Sequence, residues 1–238
     1  FISINILSSQ SDLAIGQWKS HLPYDVGWYV TQSDTKVYFA TALSLLIVDK
    51  EEESIQRLTK VEGLSNVGIS LIKYHPGAET LMVFYDGGVI DLIREDEIFT
   101  VFDIPNSNLI VGEKEVFDVF MLNDSIAYIA ANYGITKFNL NTGRSPVTTK
   151  FPVPAKSVIV KDDIIYAGTA EGIYTADLIN NVNVNDFNNW DLLGTESGFP
   201  EDYGSESMAI FNGLIYLEVN DSLFSYDGQS TEFVFYEN

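Results

Sequence analysis

Hydrophobic and polar positions alternate along most of this chain in short runs of four to seven residues, broken by turn residues. The stretch 157–177 shows the pattern. Ser157-Val158-Ile159-Val160 is closed by Lys161-Asp162-Asp163. Ile164 to Thr169 then runs to a break at Ala170-Glu171-Gly172, and Ile173-Tyr174-Thr175-Ala176 follows. Strand formers around a tight glycine-bearing turn predict a β-hairpin. A further apolar run tends to follow each hairpin: Ile55–Leu58, Ile98–Phe102 and Phe233–Tyr236. No window holds a sustained helical period, so little helix is expected.

The same unit recurs in one register. The segments VYFATALSLLIVD (37–49), LMVFYDGGVIDLI (81–93), AYIAANYGITKFN (127–139), IYAGTAEGIYTAD (165–177) and IYLEVNDSLFSYD (215–227) align without gaps. One column holds Tyr38, Met82, Tyr128, Tyr166 and Tyr216. Seven residues on comes an aliphatic, Leu45, Val89, Ile135, Ile173 or Leu223, preceded by Ser44, Gly88, Gly134, Gly172 or Ser222. Eleven residues on stand Asp49, Ile93, Asn139, Asp177 and Asp227. The steps between copies are 44, 46, 38 and 50 residues. A fixed internal offset with variable spacing marks a structural repeat with loop insertions.

Four short antiparallel strands in each such repeat predict the blades of an all-β propeller. A parallel β-helix would use shorter coils, a leucine-rich repeat one strand per ~20–29 residues, and a sandwich would give no recurring column. The whole chain, 1–238, reads as one propeller domain, with blades at about 26–60, 69–103, 116–150, 156–193 and 206–237. The segment Gln17–Leu22 precedes the first innermost strand and is expected to close the ring. Five repeats are visible, either a complete ring or part of a seven-bladed one.

Composition narrows the function. The chain is 46% hydrophobic and 13% aromatic, enough to fill the spaces between blades, so most aromatic residues are expected in the core. No apolar run approaches the ~18–20 residues of a membrane helix. There is no cysteine, which excludes disulfides, thiol catalysis and cysteine-bound metal. The chain begins at Phe1 rather than Met, which implies an upstream segment. A formal charge of −21 argues against nucleic acid and against adsorption to an anionic membrane. The acids gather in Asp49–Glu53, Glu95–Glu97 and Glu201–Asp202, between the expected strands, where they read as solvated loops. No Asp-x-Asp-x-Asp-Gly calcium loop is present.

Candidate chemistry is sparse. His21 and His75 stand 54 residues apart, neither with a metal-ligand partner at short spacing, and His75, before Pro76-Gly77, reads as a surface turn residue. GxSxG is absent. GTAEG (168–172) and GLSNVG (63–68) open no helix, so no phosphate cradle is expected. Acids from separate blades could meet at a central channel, but 34 acids make chance pairs expected. No catalytic residue, cofactor or metal ligand is assigned. Two loops are candidate binding features. The polar run NNVNVNDFNN (180–189) before Trp190 reads as an insertion between the third and fourth strands of its blade. The segment 198–204 presents Phe199 and Tyr203 among turn residues, suited to sugar or peptide binding or to plugging the space between blades.

GTAEGIYTAD (168–177) resembles the repeat of two-component-regulator propellers, through Gly168, Thr169, Gly172, Ile173 and Asp177. A longer ordered set, QWKSHLPYD (17–25), EGLSNVGIS (62–70), YDGGVIDLI (85–93), FDIPNSNLIVGEKEVFDV (102–119) and AYIAANYGITKFNL (127–140), resembles the N-terminal propeller of PorZ-like proteins of type IX secretion. The likeness is best over 17–142. It implies an exported protein at the outer membrane or cell surface of a Gram-negative bacterium. There, such proteins act as scaffold and recognition subunits, helping to process cargo with a C-terminal sorting domain and attach it to lipopolysaccharide. It implies no catalytic residue. The expected partners are other secretion-machinery proteins, with surface glycan or lipopolysaccharide as a further ligand. Two other functions remain open: a glycan-binding sensor ectodomain of a hybrid two-component regulator, and a five-bladed glycoside-active enzyme.

Overall fold

The computed structural model describes residues 26–95, 97–180 and 183–236. The expected closing strand Gln17–Leu22 and His21 lie outside the described residues.

Twenty strands form five separate four-stranded antiparallel sheets, each ordered as its strands occur in the chain. Blade 1 comprises β1 (Tyr29–Gln32), β2 (Lys36–Ala40), β3 (Ser44–Asp49) and β4 (Ile55–Thr59). Blade 2 comprises β5 (Ile69–His75), β6 (Thr80–Tyr85), β7 (Ile90–Arg94) and β8 (Glu97–Val101). Blade 3 comprises β9 (Val116–Asn123), β10 (Ile126–Ala131), β11 (Gly134–Asn139) and β12 (Arg144–Lys150). Blade 4 comprises β13 (Ala155–Lys161), β14 (Ile164–Thr169), β15 (Gly172–Asp177) and the short β16 (Asp191–Leu192). Blade 5 comprises β17 (Met208–Phe211), β18 (Leu214–Val219), β19 (Ser222–Tyr226) and β20 (Thr231–Tyr236). Among the described residues, helix is limited to two single 3-10 turns, Phe187–Asn189 and Thr195–Ser197.

The sequence columns map onto this register. Tyr38, Met82, Tyr128, Tyr166 and Tyr216 are each the third residue of the second strand. The first four face the following blade. Tyr38 shares a core with Ile72 and Leu81 of blade 2, Met82 with Val119 and Ile129 of blade 3, Tyr128 with Val158 and Ile165 of blade 4, and Tyr166 with Ile215 and Leu217 of blade 5. These four are buried, whereas Tyr216 is half-buried, with no further blade packed on it among the described residues.

The small-residue column opens the third strand in blades 1, 3, 4 and 5, and in blade 2 Gly88 stands two residues before it. Gly134 has φ +124°, and a Cβ there would lie 2.1 Å from the Thr149 carbonyl oxygen. Blade 1 solves the same corner with Ser44, whose Oγ lies 2.9 Å from Thr41 Oγ1.

The last column caps the turn into the fourth strand. Asp49 Oδ1 accepts the Glu51 and Glu52 amides at 2.9 and 3.0 Å. Asp177 Oδ1 accepts those of Ile179 and Asn180 at 2.8 and 2.7 Å, and Asp227 Oδ1 those of Gln229 and Ser230 at 2.7 and 2.8 Å. Asn139 Oδ1 accepts the Thr142 amide at 2.9 Å. These are Asx turns, in which a short polar side chain replaces a backbone acceptor. The backbone amides hold all three aspartates below the usual carboxylate range.

Innermost strands β1, β5, β9, β13 and β17 touch in that order, and among the described residues no contact of comparable extent joins β17 to β1. Both end blades of the array carry exposed apolar side chains that no other described residue covers. Trp28 and Val30 are 64% and 62% exposed on blade 1, and Phe211 and Phe235 are 63% and 55% exposed on blade 5.

Candidate functional site

Because each blade repeats one register, each pair of neighbours forms a wedge lined by the same columns, and the wedges differ in how they are filled. Between blades 4 and 5 the space is closed by the chain itself. Phe199 stacks on Tyr203 at 4.8 Å between ring centroids and packs against Tyr226 at 5.5 Å. The Tyr203 hydroxyl donates to the Leu193 carbonyl at 2.9 Å and accepts the Ile173 amide at 3.1 Å. Burial pushes its pKa up to about 12. Between blades 2 and 3, Met82 takes the tyrosine position, and Arg94 reaches across from Thr80 Oγ1 to the Leu140 carbonyl.

Between blades 3 and 4 lies a cleft of about 420 Å³, with Tyr128, Ile135, Ile165, Leu178 and Trp190 among its lining. The polar insertion folds back over it: Trp190 Nε1 donates to the Val184 carbonyl at 2.9 Å, and Phe187 lies 4.7 Å from Phe151. Trp190 also meets Phe151 edge-on at 4.9 Å.

The corresponding cleft between blades 1 and 2 is about 490 Å³ and polar at its rim. Its floor is Ile47, Leu58, Ile93 and Ile98. Its rim carries Glu62, Glu79 and Glu95 from three separate turns, with Gln56 and Lys36. Tyr38 and Tyr74 stack against each other at 5.8 Å and 18° on its wall. The Tyr74 hydroxyl is held above the usual phenol range by desolvation, then by the neighbouring Tyr38, Glu79 and Asp34.

Trp190, Phe199 and Tyr203 are thus all buried, at 7%, 3% and 7% exposure, Phe199 and Tyr203 filling the wedge between blades 4 and 5 and Trp190 lining the cleft between blades 3 and 4. Of the two uses open to the 198–204 segment, plugging is the one its aromatic rings serve in this structure. His75 differs from its expected place on a surface turn. It ends β5, buried, because Nδ1 accepts the Ala78 amide at 3.1 Å and Nε2 lies 3.0 Å from the Asn123 carbonyl of the next blade. Among the described residues no three His, Asp or Glu side chains gather to hold a metal.

Sequence reasoning missed two features. One is the polar cleft, since its rim comes from turns far apart in the chain. The other is Asp91, fully buried in β7. It accepts the Ser65 amide at 2.9 Å, the Tyr85 hydroxyl at 2.7 Å and the Thr100 hydroxyl at 2.7 Å. This satisfied carboxylate pins the EGLSNVG segment to blade 2, since a buried charge persists only when hydrogen-bonded.

Radially ordered four-stranded sheets, each pair of neighbours enclosing a wedge, define a β-propeller module. Within that class the chain belongs to the family of the N-terminal β-propeller domain of PorZ of the type 9 secretion system, whose family model matches residues 37–191. No curated protein matches the sequence. Among solved structures, the chain is similar to PorZ of Porphyromonas gingivalis, an essential bacterial surface component of the type-IX secretion system. The TM-score is 0.73 and the identity 17%, over 86% of this chain and 27% of that one. It is also similar to the extracellular domain of BT4673 from B. thetaiotaomicron, described both as a one-component and as a hybrid two-component system. Those two structures give TM-scores of 0.61 and 0.63 at 16% identity, over 90% and 91% of this chain. The chain spans 27–29% of the length of these structures. Among the described residues no helix is long and apolar enough to cross a membrane.

Proposed function

We propose that this chain is a non-catalytic recognition propeller, part of a scaffold at the outer membrane or cell surface in a type IX-like protein-secretion machinery. The observation that carries this reading is membership of the PorZ N-terminal propeller family across residues 37–191. The physical reading agrees with it. Asp91 and His75, buried in blade 2, are occupied in holding turns and neighbouring blades together, which suits a rigid support for exchangeable surface contacts. Its partners are other secretion-machinery proteins. With a charge of −21, any contact with anionic lipopolysaccharide runs through aromatic and hydrogen-bonding groups or bridging divalent cations rather than direct attraction.

Deletion of the gene in its native host is expected to leave cargo with a C-terminal sorting domain unreleased inside the outer membrane. Normal cargo release would overturn the reading. A second reading, a glycan-binding sensor ectodomain, is supported by the likeness to the BT4673 extracellular domain. It predicts the opposite pattern: intact secretion, with a lost transcriptional response to glycan.

A further inference from the structure

Asn212 differs from the other asparagines in what surrounds it. It is followed by Gly213, and no other Asn-Gly pair occurs in the 238 residues. The pair forms the two-residue turn between β17 and β18, closed by the pairing of Phe211 with Leu214. Both residues have positive φ, 48° and 77°, as a type I′ hairpin turn demands. Both are exposed. Among the described residues the Asn212 side chain makes no hydrogen bond and the Gly213 amide has no acceptor. Nothing lies within 4 Å of where a Gly213 Cβ would stand. Asn106, Asn141 and Asn123 show the contrast. The amide after Asn106 donates to the Ile104 carbonyl at 3.2 Å, and the amide after Asn141 to Asn139 Oδ1 at 2.9 Å. The Asn123 side chain is itself held, accepting the amides of Ser125 and Ile126, each at 3.0 Å.

We infer that Asn212-Gly213 is a site of spontaneous deamidation and isoaspartate formation in the folded protein. The Gly213 amide nitrogen, on losing its proton, attacks the Asn212 side-chain carbonyl carbon. A nitrogen–carbon bond forms, the bond to Nδ2 breaks, and Nδ2 leaves as ammonia, with the lost proton returned to it by solvent. Water then opens the cyclic succinimide at either carbonyl, its hydroxyl going to the carbon and its hydrogen to the nitrogen. Opening on one side gives aspartate. Opening on the other gives isoaspartate, in which the main chain runs through the former side chain and gains one carbon. Glycine favours the step, because no side chain shields its nitrogen and its backbone turns freely into the attack geometry. The hairpin lies in an end blade whose outer side chains no described residue covers, so opening this turn costs little. The two products differ in consequence. Aspartate suits the left-handed position, as Asp162 and Asp221 do in turns of blades 4 and 5. Isoaspartate lengthens a two-residue turn and breaks the register of Phe211 with Leu214 and of Ala209 with Tyr216. This inference does not depend on the secretion role.

The test incubates the full 238-residue chain in mildly alkaline buffer made with heavy-oxygen water. Proteolytic peptides are followed by mass spectrometry, and isoaspartate is scored by methyl transfer from a protein isoaspartyl methyltransferase. The peptide holding Asn212 should lose its carboxamide several-fold faster than peptides holding Asn106, Asn123 or Asn141. It should take up one solvent oxygen and give isoaspartate as well as aspartate. The rate should rise with pH, because the deprotonated amide is the nucleophile. It should lie within about tenfold of the rate in the free peptide acetyl-Ile-Phe-Asn-Gly-Leu-amide, which has no turn to open. The aged chain should melt at a lower temperature than fresh protein, whereas fresh Asn212→Asp, which gains the charge without the longer main chain, should not. An intact Asn212 while other asparagines react, or aspartate formed without isoaspartate, would each overturn the inference. So would a rate orders of magnitude below that of the free peptide. A fresh Asn212→Asp chain that melts as low as the aged protein would overturn the link between isoaspartate and the broken turn.

Discussion

The wedge between blades 1 and 2 and the wedge between blades 3 and 4 are built from the same columns and end in opposite states. Both start from a buried tyrosine, Tyr38 or Tyr128, in the second strand. In the first, the turns are short and acidic and the cleft stays open with a polar rim. In the second, an insertion between β15 and β16 supplies Val184, Phe187 and Trp190, and the cleft that is left is lined by aromatic and aliphatic side chains. The repeat therefore fixes the geometry of every wedge, while turn composition and loop length decide whether its cleft has a polar or an apolar lining.

The strongest way to break this comparison is to remove the aromatic lining that the insertion supplies. Trp190→Ala removes a buried ring and its hydrogen bond to Val184, and should destabilise the domain by about 3–5 kcal/mol in a denaturant titration. A loss under about 1 kcal/mol would mean that the insertion is decoration and the two wedges are alike. Next come the two solutions to the same corner. Gly134→Ala places a Cβ 2.1 Å from the Thr149 carbonyl oxygen at φ +124°, and should cost about 2–4 kcal/mol through strain and overpacking. Ser44→Ala at the same column of blade 1 loses one buried hydrogen bond and should cost only about 1 kcal/mol. Equal effects would show that the two blades do not turn this corner differently.

Much of the frame was legible because it is local. A residue and its neighbour seven positions on sit in one hairpin, so the alternation that places Tyr166 and Ile173 in buried positions is written in a dozen residues. The column Asp49, Asn139, Asp177 and Asp227 is likewise explained by amides two or three residues ahead. The polar cleft was not legible, because Glu62, Glu79 and Glu95 come from three turns brought together only by blade packing. His75 misled for the same reason, its partner Asn123 lying 48 residues away. The aromatic residues of 190–203 were noticed as candidates from composition, but whether a ring faces solvent or a neighbouring blade depends on how the loop folds back.

A smaller effect sharpens the contrast within the cleft. Tyr38→Phe removes a hydroxyl that bonds nothing among the described residues, so stability should change by less than about 0.5 kcal/mol. Tyr203→Phe removes a hydroxyl with two partners and should cost about 1–3 kcal/mol. Similar costs for the two substitutions would mean that the open wedge holds its hydroxyl as firmly as the plugged one.

The subtlest difference is in how the innermost strands are tied, and it is read through pH. Between blades 1 and 2 the bond is neutral: the Tyr74 amide donates to Thr31 Oγ1 at 3.2 Å. Between blades 3 and 4 it is charged: the Val158 amide donates to Asp118 Oδ2 at 3.1 Å, while Oδ1 accepts the Val119 amide at 2.8 Å. Desolvation raises the Asp118 pKa, against the lowering pull of these two amides and of Lys73. In the pH window between the ordinary carboxylate value and this raised one, the folded state holds a proton that the unfolded chain has released. Stability from this group therefore falls as pH rises through the window. Asp49, Asp177 and Asp227 act with the opposite sign, since their lowered values make the turns they cap weaken as pH falls. Asp118→Asn should remove only the first slope, so that variant and wild type differ most in how melting temperature changes just above the ordinary carboxylate range. Thr31→Val, at the neutral bond, should shift the curve without changing its slope. Parallel pH curves for Asp118→Asn and wild type would show that the carboxylate is solvated and that the two blade junctions are electrostatically alike.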